Sequence, residues 1–529
     1  MLIDSEVVAN FEIVIGLVAP IGTDVDALVR HLEASLERVN YTTECIRLSG
    51  LLDETPAGAG LPRTSSDPRY YEARMDAGDD LRESLGSSDA LAAYAISKIR
   101  SNRFKRTGAN EQTARHAWIL RTIKHPEEVR LLRATYGRRF VLISATASEA
   151  SRRTSILSGL RDASPENTQL EARVAELMLR DEQDSTTPYG QHVRDAFALG
   201  DFFVDLDSAA GPKAELDRLV GLLFGEPFLT PRRDEQGMYL AFAASLRSAD
   251  PGRQVGAVIT TAKGDVLAVG SNEVPRAGGG EYWVGDQPDH RDFQLGSDFN
   301  RREVRRALQE LLGVLGAEGH LNADLSGLDG RELLDSVVAK SGSSIDSTRI
   351  RNLIEFGRIV HAEMATITEA ARLGVPILGS TIYTTAFPCH MCMRLIIGSG
   401  ISRVVYVDPY PKSLAGEMYA TEIRLRGDRD DDRVAVESFL GASWRVYPDV
   451  FGAVNRKRDA STAKFEAWSR RDARMRLAEL DPLNGSEFVE AQVPLALDDR
   501  LRRLADTPAS VSGLVDDVAT DVEPGKEEP

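Results

Sequence analysis

Hydrophobic and polar positions along the first 225 residues predict strands and helices in alternation. The apolar run from Phe11 to Val18 is typical of a buried strand, and the turn Ala19–Asp24 follows it. Apolar residues then recur at helical spacing at Val25, Leu28, Val29 and Leu32. Further strands are predicted at Cys45–Leu48, Phe140–Ala145 and Phe202–Leu206, and helices at Asp89–Ile99 and Pro126–Tyr136. This alternation predicts a parallel α/β domain over residues 8–225.

A second domain is predicted over residues 233–460. The turn-rich segment 225–234 separates it from the first, and a helix at Glu235–Ser248 opens it. Strands at Val255–Thr260 and Val266–Val269 come next, before an insertion over residues 276–350. On length alone, the insertion is equally consistent with a segment that shapes a pocket and with loop filler.

The end of the chain, residues 481–529, loses periodicity and predicts an acidic, disordered tail. Over the whole chain, 64 basic residues face 81 acidic ones, a formal charge of −17 that disfavours polynucleotide binding. No run of eighteen apolar residues occurs, and the N-terminus has no signal-peptide pattern. We therefore expect a cytoplasmic protein without membrane association.

Two short motifs carry the chemistry. His361-Ala362-Glu363 is followed, 25 residues later, by Pro388-Cys389-His390-Met391-Cys392. Cys389 and Cys392 are two of only three cysteines, so they form no disulfide framework and predict a metal or redox site. Zinc takes thiolate and imidazole ligands, and two cysteines three apart at a helix start project from one face.

Three protein ligands favour catalytic over structural zinc, because a structural site would have a fourth. His390 points away from the face that Cys389 and Cys392 share, so the prediction leaves one coordination position for water. Glu363 can reach that water without being a ligand, and is predicted to move its protons as the catalytic residue. The pattern H-x-E…P-C-x-x-C is the signature of zinc deaminases that attack C4 of cytosine or C6 of adenine.

Segments upstream of the motif resemble deoxycytidylate deaminases. The resemblance is carried by Arg253–Ile259, as a first strand, and by Gly270–Pro275, as a G-x-N-x-x-P turn. It implies that Asn272 contacts the sugar, although a plain turn residue is the alternative. Tyr410, after the strand Val404–Val407, would cover the base or simply pack in the wall. Together with Asn272 and Tyr410, Ala362 is predicted to bind the substrate.

The whole chain resembles bacterial anti-phage dCTP deaminases, which fuse a kinase-like domain to a deaminase. Additional matching segments are Arg358–Met364, Tyr410–Ala415, Tyr282-Trp283 and Asp292-Phe293. The resemblance implies a P-loop kinase-like parallel α/β domain followed by a cytidine deaminase-like α/β/α sandwich with a mixed five-stranded sheet. It also implies a zinc cofactor, free dCTP and dCMP as substrates, a homo-oligomer such as a hexamer, and, in one branch, a small RNA inhibitor.

Three further residues have two interpretations each. Arg253 and Lys412 are candidates for the phosphates of the substrate, or else ordinary surface charges. His290 is a candidate ligand of a second metal, with an ordinary loop histidine as the alternative.

The N-terminal loop Gly16–Asp24 has the strand and helix context of a phosphate-binding loop. It departs from the Walker pattern, because five residues separate Gly16 from Gly22, and Thr23 and Asp24 replace the lysine and hydroxyl residue. The missing lysine argues against kinase activity. Gly16, Gly22 and Thr23 remain candidates for binding a regulatory nucleotide, with a silent scaffold as the alternative.

The leading hypothesis is hydrolytic deamination of dCTP or dCMP, which would deplete the dCTP pool in anti-phage defence. A base deaminase acting on tRNA or single-stranded DNA is the second hypothesis, and it requires a basic channel that the sequence near the motif lacks. A regulator that senses nucleotides through a deaminase fold is the third, and the intact Glu363 argues against it.

Overall fold

The chain forms two compact units in a computed structural model. One unit comprises Met1–Thr230 with Leu440–Pro529, and the other Pro231–Phe439. The described residues are 11–64, 67–108, 112–163, 170–184, 187–208, 211–322, 325, 328–338, 348, 350, 353, 355–408, 413–425, 432–452, 461–465, 467–479 and 486–506.

The N-terminal part of the first unit alternates strands and helices. Its strands are β1 (Ile13–Val18), β2 (Thr42–Arg47), β3 (His116–Ile123), β4 (Phe140–Thr146) and β5 (Phe202–Asp205). Its helices are α1 (Val25–Glu37), α2 (Leu48–Leu51), α3 (Tyr70–Leu85), α4 (Ala90–Thr107), α5 (Pro126–Tyr136), α6 (Glu149–Ala163), α7 (Leu170–Glu182), α8 (Val193–Phe197) and α9 (Gly211–Leu223).

The second unit begins with a helix and contains a second sheet. Its helices are α10 (Arg233–Ser245), α11 (Asp292–Leu295), α12 (Phe299–Ala317), α13 (Gly330–Val338), α14 (Ala362–Leu373), α15 (His390–Gly398) and α16 (Ala415–Met418). Its strands are β6 (Gly256–Thr260), β7 (Val266–Ser271), β8 (Thr381–Ala386), β9 (Arg403–Asp408), β10 (Ile423–Leu425) and β11 (Val434–Ser438). The chain then returns to the first unit with β12 (Gly441–Ala442), α17 (Tyr447–Phe451), α18 (Arg476–Glu479) and α19 (Ser486–Asp506).

The first sheet has the strand order β12-β5-β4-β1-β3-β2, and only β12 runs antiparallel to its neighbour. Every residue of β1 is buried, because a central parallel strand is covered on both faces. The predicted parallel α/β domain is therefore confirmed as a fold. The pairing of β12 with β5 places the chain from Leu440 onward in this unit, so the predicted second domain extends about twenty residues too far.

The second sheet is mixed, as predicted, but it has six strands in the order β10-β11-β9-β8-β6-β7. Strand β6 is antiparallel to both β7 and β8, and the remaining pairs are parallel. The predicted number of five was wrong because the short strand β10 pairs with β11 and extends the parallel edge. Helices α10 and α14 pack on this sheet.

The predicted tail contains a helix, so the prediction of disorder was wrong for residues 486–506. Helix α19 packs on α3, α4 and α5, and its Leu497 is buried in the core beside β3 and β4. Glu490 of α19 is buried and forms an ion pair with Arg103. The helix contains Pro494 and many charges, so tertiary contacts rather than local pattern stabilise it. Residues 507–529 lie outside the described residues.

None of the helices within the described residues has both the length and the apolar character that crossing a membrane requires.

Candidate metal centre

Two helix starts bring the metal ligands together. His361 is the N-cap of α14, and Cys389 is the N-cap of α15, where its Sγ accepts the backbone N–H of Cys392 at 3.5 Å. Only Phe387 and Pro388 separate the end of β8 from Cys389. Because both ligand segments sit where a helix begins, their backbone positions are fixed by regular structure on one side.

The ligand atoms have the spacing that a tetrahedral zinc ion requires. His361 Nδ1 lies 3.4 Å from Cys389 Sγ and 3.4 Å from Cys392 Sγ, and the three ligand atoms lie within 4.8 Å of one another. Ordinary zinc–sulfur and zinc–nitrogen bond lengths give a tetrahedral S···N edge of about 3.6 Å. Two thiols and one imidazole are also the donors that zinc prefers. The residues therefore fit zinc, and they leave a coordination position open.

The pKa values of the three ligands are shifted in different directions. The hydrogen bond from Cys392, together with His361, lowers the pKa of Cys389 to about 4, and the same hydrogen bond raises the pKa of Cys392. The Cys389 thiolate in turn raises the pKa of His361. Cys389 is thus the first ligand to ionise, and metal binding has to displace the proton that the remaining ligands hold.

Glu363 lies beside the ligands without belonging to them. Its side chain is only 3% exposed, and its Oε2 lies 3.5 Å from Cys392 Sγ, which donates to it. Burial raises the pKa of this carboxyl group. Among the described residues, the cluster with metal-ligand spacing consists of His361, Cys389 and Cys392. A buried carboxyl group with a raised pKa next to such a cluster is suited to accept and release protons.

Asn272 stabilises the loop between α10 and β6. Its Nδ2 donates to Asp250 Oδ2 at 2.9 Å and to the carbonyl oxygen of Arg253 at 2.7 Å, while its Oδ1 accepts from the backbone of Val255 at 2.7 Å. Asp250 also helps to raise the pKa of His361. The amide of Asn272 is therefore occupied by protein groups, and its predicted contact with a sugar stays a prediction.

Arg253 forms an ion pair with Asp408 at the end of β9. The backbone N–H of Phe387 donates to the carbonyl oxygen of Asp408 at 2.8 Å, so this pair lies at the edge of the sheet that also carries Cys389. Ala362 is buried directly after His361. Tyr410 and Lys412 lie outside the described residues, and their predicted roles stay predictions.

Sequence reasoning missed a role for Glu273. Its buried carboxylate accepts the backbone N–H of Ala249 at 3.0 Å, and its backbone forms a β-bridge with Val360, directly before His361. The residue thus ties the Asn272 turn to the first ligand. Its place inside the motif Gly270–Pro275 was the one available signal.

Gly270 lets α14 approach β7 closely. A Cβ atom at this position would lie 2.6 Å from Thr366 Oγ1 and 2.8 Å from Thr366 N. Any larger residue would therefore push away the helix that begins with His361 and Glu363.

The N-terminal loop differs from the phosphate-binding loop that its sequence suggests. Gly16 lies inside β1, where a Cβ atom would come within 2.7 Å of Ile123 Cδ1, so it is a packing glycine and not a loop residue. Gly22 does lie in the loop, with a φ of +85°. Thr23 lies beside it, and its Oγ1 is buried without a hydrogen-bond partner.

His290 contacts the ring of Tyr282 edge-on, with ring centroids 6.4 Å apart. It belongs to no metal-type cluster among the described residues, so the ordinary loop histidine is the better interpretation.

Comparisons with known proteins find similarity within the second unit. Residues 231–408 match the family described as the cytidine and deoxycytidylate deaminase zinc-binding region. The chain is 43% identical over 53 residues to ComE operon protein 2 of Bacillus subtilis, and 44% identical over 57 residues to deoxycytidylate deaminase of Enterobacteria phage T4. These alignments cover 10% and 11% of this chain but only 28% and 30% of the relatives, so the chain spans less than a third of their length.

Among solved structures, dCMP deaminase from the cyanophage S-TIM5 in complex with dCMP and dUMP is 18% identical, with a TM-score of 0.22. That match covers 40% of this chain and 98% of the other. The family match over residues 231–408, together with the cluster of His361, Cys389 and Cys392, indicates a zinc-binding region of the cytidine and deoxycytidylate deaminase type in the second unit.

Proposed function

We propose that the protein deaminates deoxycytidine nucleotides hydrolytically, converting dCTP, dCMP or both to the uracil nucleotide and ammonia. One observation carries the proposal: two thiols and an imidazole converge at metal-ligand spacing, and the buried carboxyl group of Glu363 lies next to them without being a ligand. A structural zinc site or a pure binding protein has no need of that carboxyl group.

His361, Cys389 and Cys392 would hold the zinc ion, which supplies Lewis acidity to activate the attacking water. Glu363 handles the protons. Its carboxylate takes a proton from water as oxygen bonds to C4 of cytosine, and delivers it to the ring nitrogen N3. It then passes the second proton to the amino group, so that the C4–N bond breaks and ammonia leaves.

The preference for a free nucleotide is supported by Arg253, in the loop between α10 and β6. Its guanidinium group pairs with Asp408 at the end of β9 and could exchange that partner for a phosphate. The formal charge of −17 disfavours the alternative, a base deaminase on tRNA or single-stranded DNA. If dCTP is the substrate, its consumption fits the pool depletion of the anti-phage family. A homo-oligomer and an RNA inhibitor remain predictions of that resemblance.

A product assay tests the proposal directly. Zinc-loaded protein is incubated with dCMP, dCTP, CMP, CTP and a cytosine-containing single-stranded oligonucleotide, and the uracil product and ammonia are measured. We expect product from at least one deoxycytidine nucleotide and none from the oligonucleotide. Zinc-loaded protein that converts none of the nucleotides would overturn the proposal, and conversion of the oligonucleotide alone would favour the polynucleotide alternative.

A further inference from the structure

The first unit contains a cavity of about 830 Å³ at the carboxyl ends of its parallel strands. The ends of β1, β2 and β3 contribute Ala19, Arg47 and Lys124 to its wall. Strand β1 lies between β3 and β4, so the order of the strands along the sheet reverses here. Open parallel sheets bind ligands in the crevice at such a point, and ligand cavities typically measure 300–1,000 Å³.

A carboxylate of the protein itself already binds the loop that follows β1. Asp181 of α7, 1% exposed, accepts the backbone N–H of Ile21 at 2.7 Å and the ammonium group of Lys124 at 2.7 Å. Lys124 also donates to the carbonyl oxygen of Ala19 at 3.0 Å. Asp24 caps the N-terminus of α1 by accepting from the backbone of Ala27 at 2.9 Å. The loop is therefore not the place where this unit would hold a phosphate.

The neighbouring wall has cationic groups with spare hydrogen-bonding capacity. Arg47, at the end of β2, bonds to the neutral hydroxyl groups of Ser49, at 3.0 Å, and Tyr70. Arg121, near the end of β3, pairs with Asp26 through Nη1, but its buried Nε has no partner. Buried donors without acceptors cost stability, and a guanidinium matches the oxygens of a phosphate well.

A competing charge is present but movable. The Asp26 side chain is 67% exposed, so it can turn into solvent when another anion approaches Arg121. Tyr71 and Met75 of α3 add a ring and an apolar side chain to the same cavity. This part of the wall thus combines the guanidinium groups of Arg47 and Arg121 with a surface suited to a flat ring.

We propose that this cavity binds a nucleoside phosphate, with the phosphates on Arg47 and Arg121 and the base against Tyr71 and Met75. This site differs from the phosphate-binding loop that the sequence suggests, because the loop amide and Lys124 are held by Asp181. The inference is independent of the deaminase activity, which lies in the other unit.

Calorimetric titration of the full zinc-loaded chain tests the proposal with ATP, dTTP and inorganic tripolyphosphate as probes. We expect saturable binding of at least one nucleotide, and Arg47→Gln and Arg121→Gln should each weaken it about 10- to 100-fold. Arg38→Gln is the matched control, because Arg38 also pairs with an aspartate, Asp217, but does not line the cavity. Its affinity should equal that of the parent protein.

Thermal unfolding without ligand checks that the variants are folded, and Arg121→Lys, which keeps the charge, should bind more tightly than Arg121→Gln. The proposal fails if neither nucleotide binds at millimolar concentration, or if both glutamine variants bind like the parent. Equal affinity for tripolyphosphate and the nucleotides would overturn the role of Tyr71 and Met75.

Discussion

Each unit contains a buried carboxyl group beside its candidate site, and the two groups are held differently. Asp181 of the first unit accepts both the Lys124 ammonium group and the Ile21 amide, so it is anchored as part of the framework. Among the described residues, the side-chain donor to Glu363 of the second unit is a thiol of the metal cluster, and burial raises the pKa of Glu363. The partners of the two buried carboxyl groups thus differ in the way expected if Asp181 is structural and Glu363 has the proposed catalytic role.

The two sites also differ in how the chain assembles them. In the second unit, the ligands come from two short motifs at helix starts, His361–Glu363 and Cys389–Cys392. In the first unit, the cavity takes its cations from the ends of different strands. The first kind of site is visible as residue spacing, whereas the second appears only when strand order and register are known.

The largest expected effect comes from removing a ligand. Cys392→Ala should abolish both zinc binding and deamination, because a histidine and one cysteine hold zinc poorly. Elemental analysis should fall from about one zinc per chain to near zero. Cys45→Ala is the matched control, since Cys45 is an exposed free cysteine of the first unit, and it should keep both zinc and activity. Full activity in Cys392→Ala would contradict the assignment of the centre.

The second prediction separates proton transfer from metal binding. Glu363→Gln should retain zinc and lower the deamination rate about 10²- to 10⁴-fold, because the amide cannot accept and release the protons. Glu369→Gln, in the same helix but paired with Arg372 at the surface, should have nearly parental activity. Equal loss of zinc and activity in Glu363→Gln would mean that Glu363 supports the metal and not the protons.

The zinc site was predictable because its chemistry is local. The positions of His361, Glu363, Cys389 and Cys392 follow from spacing, and the structure brings them together as predicted. The architecture of the first unit was predictable for strands with continuous apolar runs. Strand β3 was not among the predicted strands, because its apolar run is short: His116 precedes it, and Arg121 and Thr122 interrupt it before Ile123.

The features that the sequence did not predict depend on contacts between distant parts of the chain. Gly16 matched a loop motif, but strand pairing places it in β1 against Ile123. The C-terminal helix was missed because its Glu490 is stabilised by Arg103, 387 positions away. No pattern in the sequence around Glu490 or Arg103 predicts that the two residues form a pair.

The third prediction concerns that contact in the first unit. Glu490→Ala leaves the buried Arg103 with Glu12 alone, and should lower the free energy of unfolding by about 3–5 kcal/mol. Hydrogen exchange of β1 and β3 should report the change, while the zinc content stays constant because the ligands lie in the other unit. Glu487→Ala, at an exposed position of the same helix, should change stability little. Unchanged exchange in Glu490→Ala would show that the buried pair contributes nothing.

The smallest effect expected is a pH dependence that arises from a buried histidine of the first unit. Burial lowers the pKa of His125 to about 4, below the ordinary value of 6.5, so the unfolded chain binds its proton first as the pH falls. The stability contributed by neutral His125 is therefore complete above about pH 6.5 and is lost towards pH 4, by about 1–3 kcal/mol.

His125→Asn retains an acceptor for the backbone N–H of Glu127 but does not titrate. Urea unfolding between pH 4 and pH 7 should show a shallower dependence in this variant than in the parent, whereas His320→Asn, at an exposed position of the second unit, should behave like the parent. Parallel curves for His125→Asn and the parent would mean that the buried imidazole contributes no linkage between proton binding and the stability of the first unit.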